Sequence, residues 1–371
     1  MKIVFIIDQV YLHGGIERVL SIKANYLASK EGNEVYIITT EQKEKKPCYT
    51  FDGRIIFKDL AINYNRRKSY FHPKNLKKLP KHISRTKSAI KEINPQVVVV
   101  CSHSVDTHFV PFIVKHIPKV KEFHYSKFIE KDKRENPSLF KKFFFKFADH
   151  VESKYDKLVI LNKDEANYYK TNNTVVIPNP LTFYPDTVSE LSSNKVITAG
   201  RIAAVKGYDI LIDVWKEIVN IRKDWQLHIF GSGEERYVKM LQDKIDEASI
   251  QDNIKLMGST DKIQEEMLQS SIFVMTSHNE CFPLVLLEAQ ACGLPIVSFD
   301  CPYGPRNIID NESGILVPAY DNDTFVNQLN ELMNNRDNIH EMGKKARENA
   351  KKYQLDSVMD LWHKMFNDLI N

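Results

Sequence analysis

Short runs of Val, Ile and Phe recur along the chain, separated by longer stretches whose apolar residues return every three or four positions. Ile3–Ile7, Val35–Thr39, Ile55–Phe57, Val97–Cys101, Val120–Phe123 and Leu158–Leu161 predict strands in the first half. Between them, Ile16, Val19, Leu20, Ile22 and Leu27 form one helical apolar face, and residues 139–151 form another. Strands alternating with helices predict a parallel sheet with crossover helices. Pro178-Asn179-Pro180 through Ser192-Ser193-Asn194 is rich in Pro, Ser and Asn and has no periodicity, which reads as a linker. The alternation then restarts with Lys195–Ala199, Gln226–Phe230, Ile254–Met257, Ile272–Met275, Ile296–Phe299 and Ile315–Val317. Ile210, Leu211, Val214 and Ile218 predict a helix over Tyr208–Val219. The expected fold class is therefore α/β, with two Rossmann-like doubly wound domains in tandem. The first covers residues 1–180, a linker 181–194, the second 195–354, and a terminal helix 355–371. Ligands bind such sheets outside the carboxyl ends of the strands, and two facing domains would leave a cleft there.

Size and composition agree. At 371 residues the chain exceeds the ~250–300 at which one core stops growing. Its 43% hydrophobic and 27% charged residues are those of a globular protein. No apolar run approaches the ~18–20 residues of a membrane span. The opening apolar run ends at Asp8, too short for a signal-peptide core, so a cytoplasmic protein is expected. Five cysteines without a C-x-x-C pair argue against a disulfide framework and a zinc site.

The net charge of +4 changes the picture because it is unevenly spread. Residues 1–185 carry 33 basic against 19 acidic residues, and the remainder 19 against 29. Such asymmetry suggests that the first half faces an anionic partner. Residues 66–91 hold ten cations, Arg66, Arg67, Lys68, Lys74, Lys77, Lys78, Lys81, Arg85, Lys87 and Lys91, and no acid. Phe140-Lys141-Lys142-Phe143-Phe144-Phe145-Lys146-Phe147 interleaves aromatics with lysines. This is either a solvated face above core phenylalanines or a surface that docks on anionic lipid. A nucleic-acid partner is not expected: no recognition motif is present and the second half is acidic.

Candidate chemistry lies in loops that follow strands. His13-Gly14-Gly15-Ile16-Glu17-Arg18 is either a tight turn or a place where backbone and a helix N-terminus approach an anion. Gly200-Arg201-Ile202-Ala203-Ala204-Val205-Lys206-Gly207 leads from a strand to a helix and carries two cations. It is either a solvated basic loop or a cradle for a diphosphate, and spacing leaves both open. Glu280-Cys281-Phe282-Pro283-Leu284-Val285-Leu286-Leu287-Glu288 follows another strand, with Pro283 suited to the first helical position and the next amides free for an anion. His103 also ends a strand, but a structural histidine is the preferred account. Asp321-Asn322-Asp323 has the look of a metal-binding D-x-D, yet helix capping explains it better.

Taken in order, Gly200-Arg201…Lys206-Gly207 followed by Glu280 and Glu288 resembles the GT-B-fold retaining glycosyltransferases of family 4. The Gly14–Arg18 turn, Val176–Pro180 and Gly314–Pro318 also look like that family. The resemblance spans essentially the whole chain and is dense in the second half. It implies that Arg201 and Lys206 hold the donor diphosphate and that Glu288 binds the nucleoside ribose. Glu280 would bind hydroxyls of the transferred sugar, with backbone groups of Phe282, Pro283, Leu284 and Val285 completing that pocket. Gly14 and Gly15 would bring backbone to the diphosphate from the first domain, and His124 would lie over the donor sugar near the anomeric carbon. Cys281 stands where the family often has glycine. The implied reaction moves a hexose or N-acetylhexosamine, with retention, from a nucleotide sugar, expected to be UDP-linked, to a lipid-linked or growing glycan in polysaccharide biosynthesis. No metal and no cofactor are expected, because Arg201, Lys206 and helix amides already supply positive potential and the one D-x-D reads as a cap. The resemblance also implies a terminal helix that crosses back to the first domain, while the basic first half adds the expectation of a place at the inner face of the cell membrane. A nucleotide-sugar-binding scaffold would be the alternative had Arg201, Lys206 or Glu280 been missing. A nucleic-acid binder using the basic half is the other.

Overall fold

The computed structural model describes residues 1–70, 72–101 and 103–371, Asp132 by its backbone only. It divides into two compact units, Met1–Pro178 with Val358–Asn371, and Asn179–Ser357.

The sheet of the first unit contains β1 (Lys2–Ile7), β2 (Glu34–Thr39), β3 (Ile56–Asp59), β4 (Val97–Val100), β5 (Lys119–Glu122), β6 (Lys157–Ile160) and β7 (Thr174–Val176). Its order is β3-β2-β1-β4-β5-β6-β7, and every pairing is parallel. The crossovers carry α1 (Gly15–Ser29), α2 (Pro73–Leu76), α3 (Leu79–Ile93), α4 (Asp106–Phe109), α5 (Lys131–Glu135) and α6 (Leu139–Glu152). Continuous apolar runs make the central strands because helices cover both faces of a parallel sheet. Accordingly Ile3–Ile6 and Val97–Val100 are fully buried. Ile3 pairs with Val35 on one side and Val97 on the other. The order reverses between β1 and β4, which opens a crevice at their carboxyl ends.

The second unit repeats the plan with β8 (Lys195–Ala199), β9 (Gln226–Phe230), β10 (Ile254–Gly258), β11 (Ile272–Met275), β12 (Ile296–Asp300) and β13 (Gly314–Pro318). The order is β10-β9-β8-β11-β12-β13, again parallel, reversing between β8 and β11. Its helices are α7 (Tyr208–Ile221), α8 (Glu235–Glu247), α9 (Ile263–Leu268), α10 (Leu284–Ala291), α11 (Asn322–Asn334) and α12 (Arg336–Ala350). The last helix, α13 (Leu355–Ile370), lies mostly in the first unit, where Trp362 and Phe366 are buried.

Three expectations need correction. Residues 181–194 are not a loose linker but part of the second unit. Ser189 donates from its backbone to Cys292 O (2.9 Å) and from its hydroxyl to Ser270 O (2.5 Å), and Leu181 and Leu191 are buried. A segment without periodicity can still be pinned by its backbone groups. Pro283 is the N-cap of α10, not its first helical residue, with an extended ψ of 100°. The basic stretch 66–91 is not one solvated face. It contains α3, whose His82, Thr86, Ala89, Ile90 and Ile93 are buried, and several of its cations bond inward. Among the described residues no helix is long and apolar enough to cross a membrane.

Candidate active site

In the second unit the candidate residues gather where the strand order reverses. The loop after β8 folds into a tight turn, Ala204–Lys206, and meets the loop after β11. Gly207 makes that approach possible. Its φ is +63°, and a Cβ there would lie 2.1 Å from the Thr276 carbonyl oxygen. Thr276 Oγ1 donates to Gly207 O (2.9 Å) and the His278 amide to Val205 O (2.9 Å), so the two loops are locked together.

This docking brings Lys206 Nζ to 2.6 Å from Glu280 Oε1. The same carboxylate oxygen accepts from Ser277 Oγ at 2.8 Å. The two residues expected to serve diphosphate and sugar therefore belong to one site and neutralise one another. Arg201 is exposed and has no ion-pair partner among the described residues, so it is the uncompensated cation of the loop. Burial, reinforced by Glu280, pushes the Tyr208 hydroxyl well above its ordinary value.

Glu280 lies next to the start of α10. The first amides of a helix have no intrahelical acceptor and carry the positive end of its dipole. Leu284 and Val285 are half-buried there. The Phe282 ring packs on Tyr353 at 5.7 Å, so this residue faces the core and only its backbone is available to a pocket. Glu288 is buried one turn further, and its Oε1 accepts from Thr182 Oγ1 at 2.5 Å. Asp321 caps α11, taking the Thr324 amide on Oδ1 (3.0 Å) and the Thr324 hydroxyl on Oδ2 (2.8 Å). Its carboxyl is held below its ordinary value by those bonds.

The other candidates belong to the first unit. Gly14 caps α1 and Gly15 opens it. A Cβ on Gly15 would meet nothing within 4 Å, so no crowding requires glycine there. His124 follows β5, with Nε2 3.4 Å from Glu122 Oε1. Glu122 is buried and ion-paired to Lys23 of α1. His103 stands beside His124 with ring centroids 6.3 Å apart.

The structure adds polar residues that sequence reasoning passed over. At the carboxyl ends of β1 and β2, Arg66 bonds Asp8 Oδ2 (2.9 Å) and Glu41 Oε1 (2.5 Å). Burial, with Asp106 nearby, raises the Asp8 carboxyl. Burial also raises Glu17. Carboxylates placed just past predicted strands were the available signal. Ser277, beside Glu280, and Thr182, beside Glu288, had no such signal.

Residues 185–353 match the family described as glycosyl transferases group 1. Over 97% of this chain and 98% of the relative, it is 29% identical to an uncharacterized glycosyltransferase of Haemophilus influenzae. It is 30% identical to the amylovoran biosynthesis glycosyltransferase AmsD of Erwinia amylovora, over 58% of this chain and 62% of that one. The fold superposes on Anabaena HepE, solved in complex with UDP, with a TM-score of 0.79 at 16% identity, covering 99% of this chain and 100% of that one. Two parallel-sheet α/β domains of this kind are the GT-B architecture. This protein is a glycosyltransferase.

Proposed function

We propose that the protein is a retaining transferase of the family 4 type, moving a hexose or N-acetylhexosamine from a UDP sugar to a lipid-linked or growing glycan. The observation that carries the donor assignment is the Lys206–Glu280 pair beside the start of α10, with Arg201 exposed on the same loop. The reaction is substitution at an anomeric carbon, with negative charge growing on the departing diphosphate. Arg201, Lys206 and the first amides of α10 supply fixed positive potential to that charge, which is the largest contribution such sites make. Glu280 accepts hydrogen bonds from sugar hydroxyls and Glu288 from the ribose. Gly15 and His124 are assigned to the same reaction on the resemblance alone. In a retaining transfer without a protein nucleophile, the leaving phosphate takes the proton of the incoming hydroxyl. UDP in the complex of HepE supports the nucleotide, and the name of AmsD supports polysaccharide biosynthesis.

The test is hydrolysis of a panel of nucleotide sugars without acceptor, read as released nucleoside diphosphate, with and without a chelator. One UDP sugar should be hydrolysed above the rest, and the chelator should not change the rate. No hydrolysis of any donor would overturn the reading. Loss with chelator and recovery with magnesium or manganese would overturn its metal-free form.

A further inference from the structure

In the second unit three segments hold Glu280. Its Oε1 accepts from Lys206 Nζ (2.6 Å) and from Ser277 Oγ (2.8 Å). Its amide donates to Pro302 O (3.4 Å), in the loop after β12. That loop lies close against it: a Cβ on Gly304 would stand 2.7 Å from Glu280 O and 2.9 Å from Glu280 Cβ. Among the described residues Oε2 accepts no hydrogen bond, although a carboxylate has room for about four on its two oxygens.

Ser277 is buried, at 2% exposure, and directly precedes His278. The His278 amide donates to Val205 O (2.9 Å), and its Nδ1 lies 3.0 Å from the Tyr320 hydroxyl. The stretch between serine and glutamate is thus anchored by backbone and side chain, which fixes the reach of the Ser277 hydroxyl. The Ser-x-x-Glu spacing is also that of a capping box, but there the carboxylate returns to the serine's own amide at a helix start. Here α10 begins only at Leu284, and the carboxylate takes the hydroxyl instead. Helix capping therefore does not account for this bond.

Lys206 alone would not orient the carboxylate. An ammonium is a point charge with three rotatable donors, and either oxygen, or both, can face it. Ser277 adds a directed donor from a buried position, and the two together define which oxygen is occupied. Oε2 is left to accept from a hydroxyl. A contact placed in advance spares a ligand the cost of ordering it.

We propose that Ser277 is a positioning residue of the donor site: with Lys206 its hydroxyl holds Oε1 of Glu280 and so presents Oε2 to the transferred sugar. This rests on the assignment of Glu280 to that sugar and specifies how the residue is aimed. Without the hydroxyl the carboxylate turns to share both oxygens with Lys206, and the sugar loses its acceptor. UDP, which has no sugar to meet Glu280, is bound as before.

The test titrates the full-length protein by calorimetry with UDP and with the UDP sugars of glucose, galactose, N-acetylglucosamine and N-acetylgalactosamine. The sugar that the unaltered protein binds most tightly is the probe. Ser277→Ala should weaken it about tenfold, the scale of one hydrogen bond to a charged group, and should weaken UDP by less than about twofold. Ser277→Cys keeps the volume but is only a weak donor, so it should behave like the alanine variant and keeps the test valid should that one fold poorly. In a Glu280→Ala background, Ser277→Ala should change probe binding by less than about twofold, because a residue that acts through Glu280 then has nothing to act on. Equal weakening of probe and UDP, unchanged probe binding, or an effect of the same size without Glu280 would overturn the inference. Glu280→Ala by itself separates the two readings. If it weakens the probe selectively while Ser277→Ala does not, the positioning role alone fails. If no UDP sugar binds, or if Glu280→Ala leaves probe and UDP untouched, the donor assignment fails and this inference with it.

Discussion

Lys206 shares its ammonium with Glu280, while Arg201 is free of protein partners among the described residues. Arg201 is exposed and Lys206 is half-buried on a loop, outside the hydrophobic core, so their removal touches folding little. Partly exposed pairs contribute about 0–1 kcal/mol. Their value lies in the charge that develops on the leaving diphosphate. Arg201→Ala and Lys206→Ala should each lower turnover by about 10²–10³ while leaving the melting transition cooperative and near its normal midpoint. Steady-state rates on the hydrolysed donor decide this, and normal rates in both variants would remove the loop from the mechanism. Glu288 behaves differently because a ribose does not change on the way to the transition state. Glu288→Ala should therefore raise the donor KM with little change in kcat. A fall in kcat at unchanged KM would reassign it.

At the scale of elements, β5 shows what ties the first unit together. Lys119 and Lys121 alternate with Val120 in a way that suggests one wet face, yet both lysines, Val120 and Glu122 are buried. Burial pushes Lys121 down to about 8. Burial alone would raise Glu122, but Lys23 of α1, and then His124, outweigh it and hold the carboxyl well below its ordinary range. Lys23 in turn lies 4.2 Å from the Trp362 ring centre, so this pair joins sheet, α1 and α13. Removing one partner of a buried pair strands the other, and Glu122→Gln should cost about 3–5 kcal/mol in denaturant unfolding. A carboxyl lowered on folding stabilises fully above its unfolded value and loses that contribution as pH falls toward its folded value. The deficit of Glu122→Gln should therefore be constant from pH 7 to about 5 and shrink below about 4.5. A deficit that does not change with pH in that range would mean that packing, not charge, holds β5 to α1.

At the scale of the whole molecule, the charge split is the largest unassigned feature. Lys74, Lys77, Lys81 and Lys87 are exposed, whereas Arg66, Lys78 and Arg85 bond inward. Lys74, Lys77 and Lys81 are close in sequence to Asn75, Leu76, Leu79 and Ile83, which line one cavity with Phe144 and Phe147 of α6. Each cation near an anionic leaflet contributes roughly 1 kcal/mol, and four would hold the protein there reversibly. Cosedimentation should show binding to anionic vesicles that falls with salt, and little binding to neutral ones. Changing the four exposed lysines to Glu should abolish it and spare donor hydrolysis, because they belong to the first unit, whereas Arg201 and Glu280 belong to the second. Equal binding to neutral and anionic vesicles, or none to either, would return the patch to a solvated face.

What the amino-acid order determined by itself was local. Apolar runs marked the central strands, because a strand buried on both faces has no polar side to show. A terminal helix was legible over 355–371, and α13 spans Leu355–Ile370. Gly207 and Asp321 were legible because a turn and a helix start restrict residue choice at a single position. Short β7 was not, since three residues before a proline carry no period. The sites were decided by tertiary structure. Lys206 and Glu280 are 74 residues apart, and only the reversal of strand order between β8 and β11 joins them. The inward turn of Arg66 to Asp8 and Glu41, and the cavity lined by residues of α3 and α6, depend on which helix covers which strand end. That choice is set by the packing of whole elements, and no single stretch of chain encodes it.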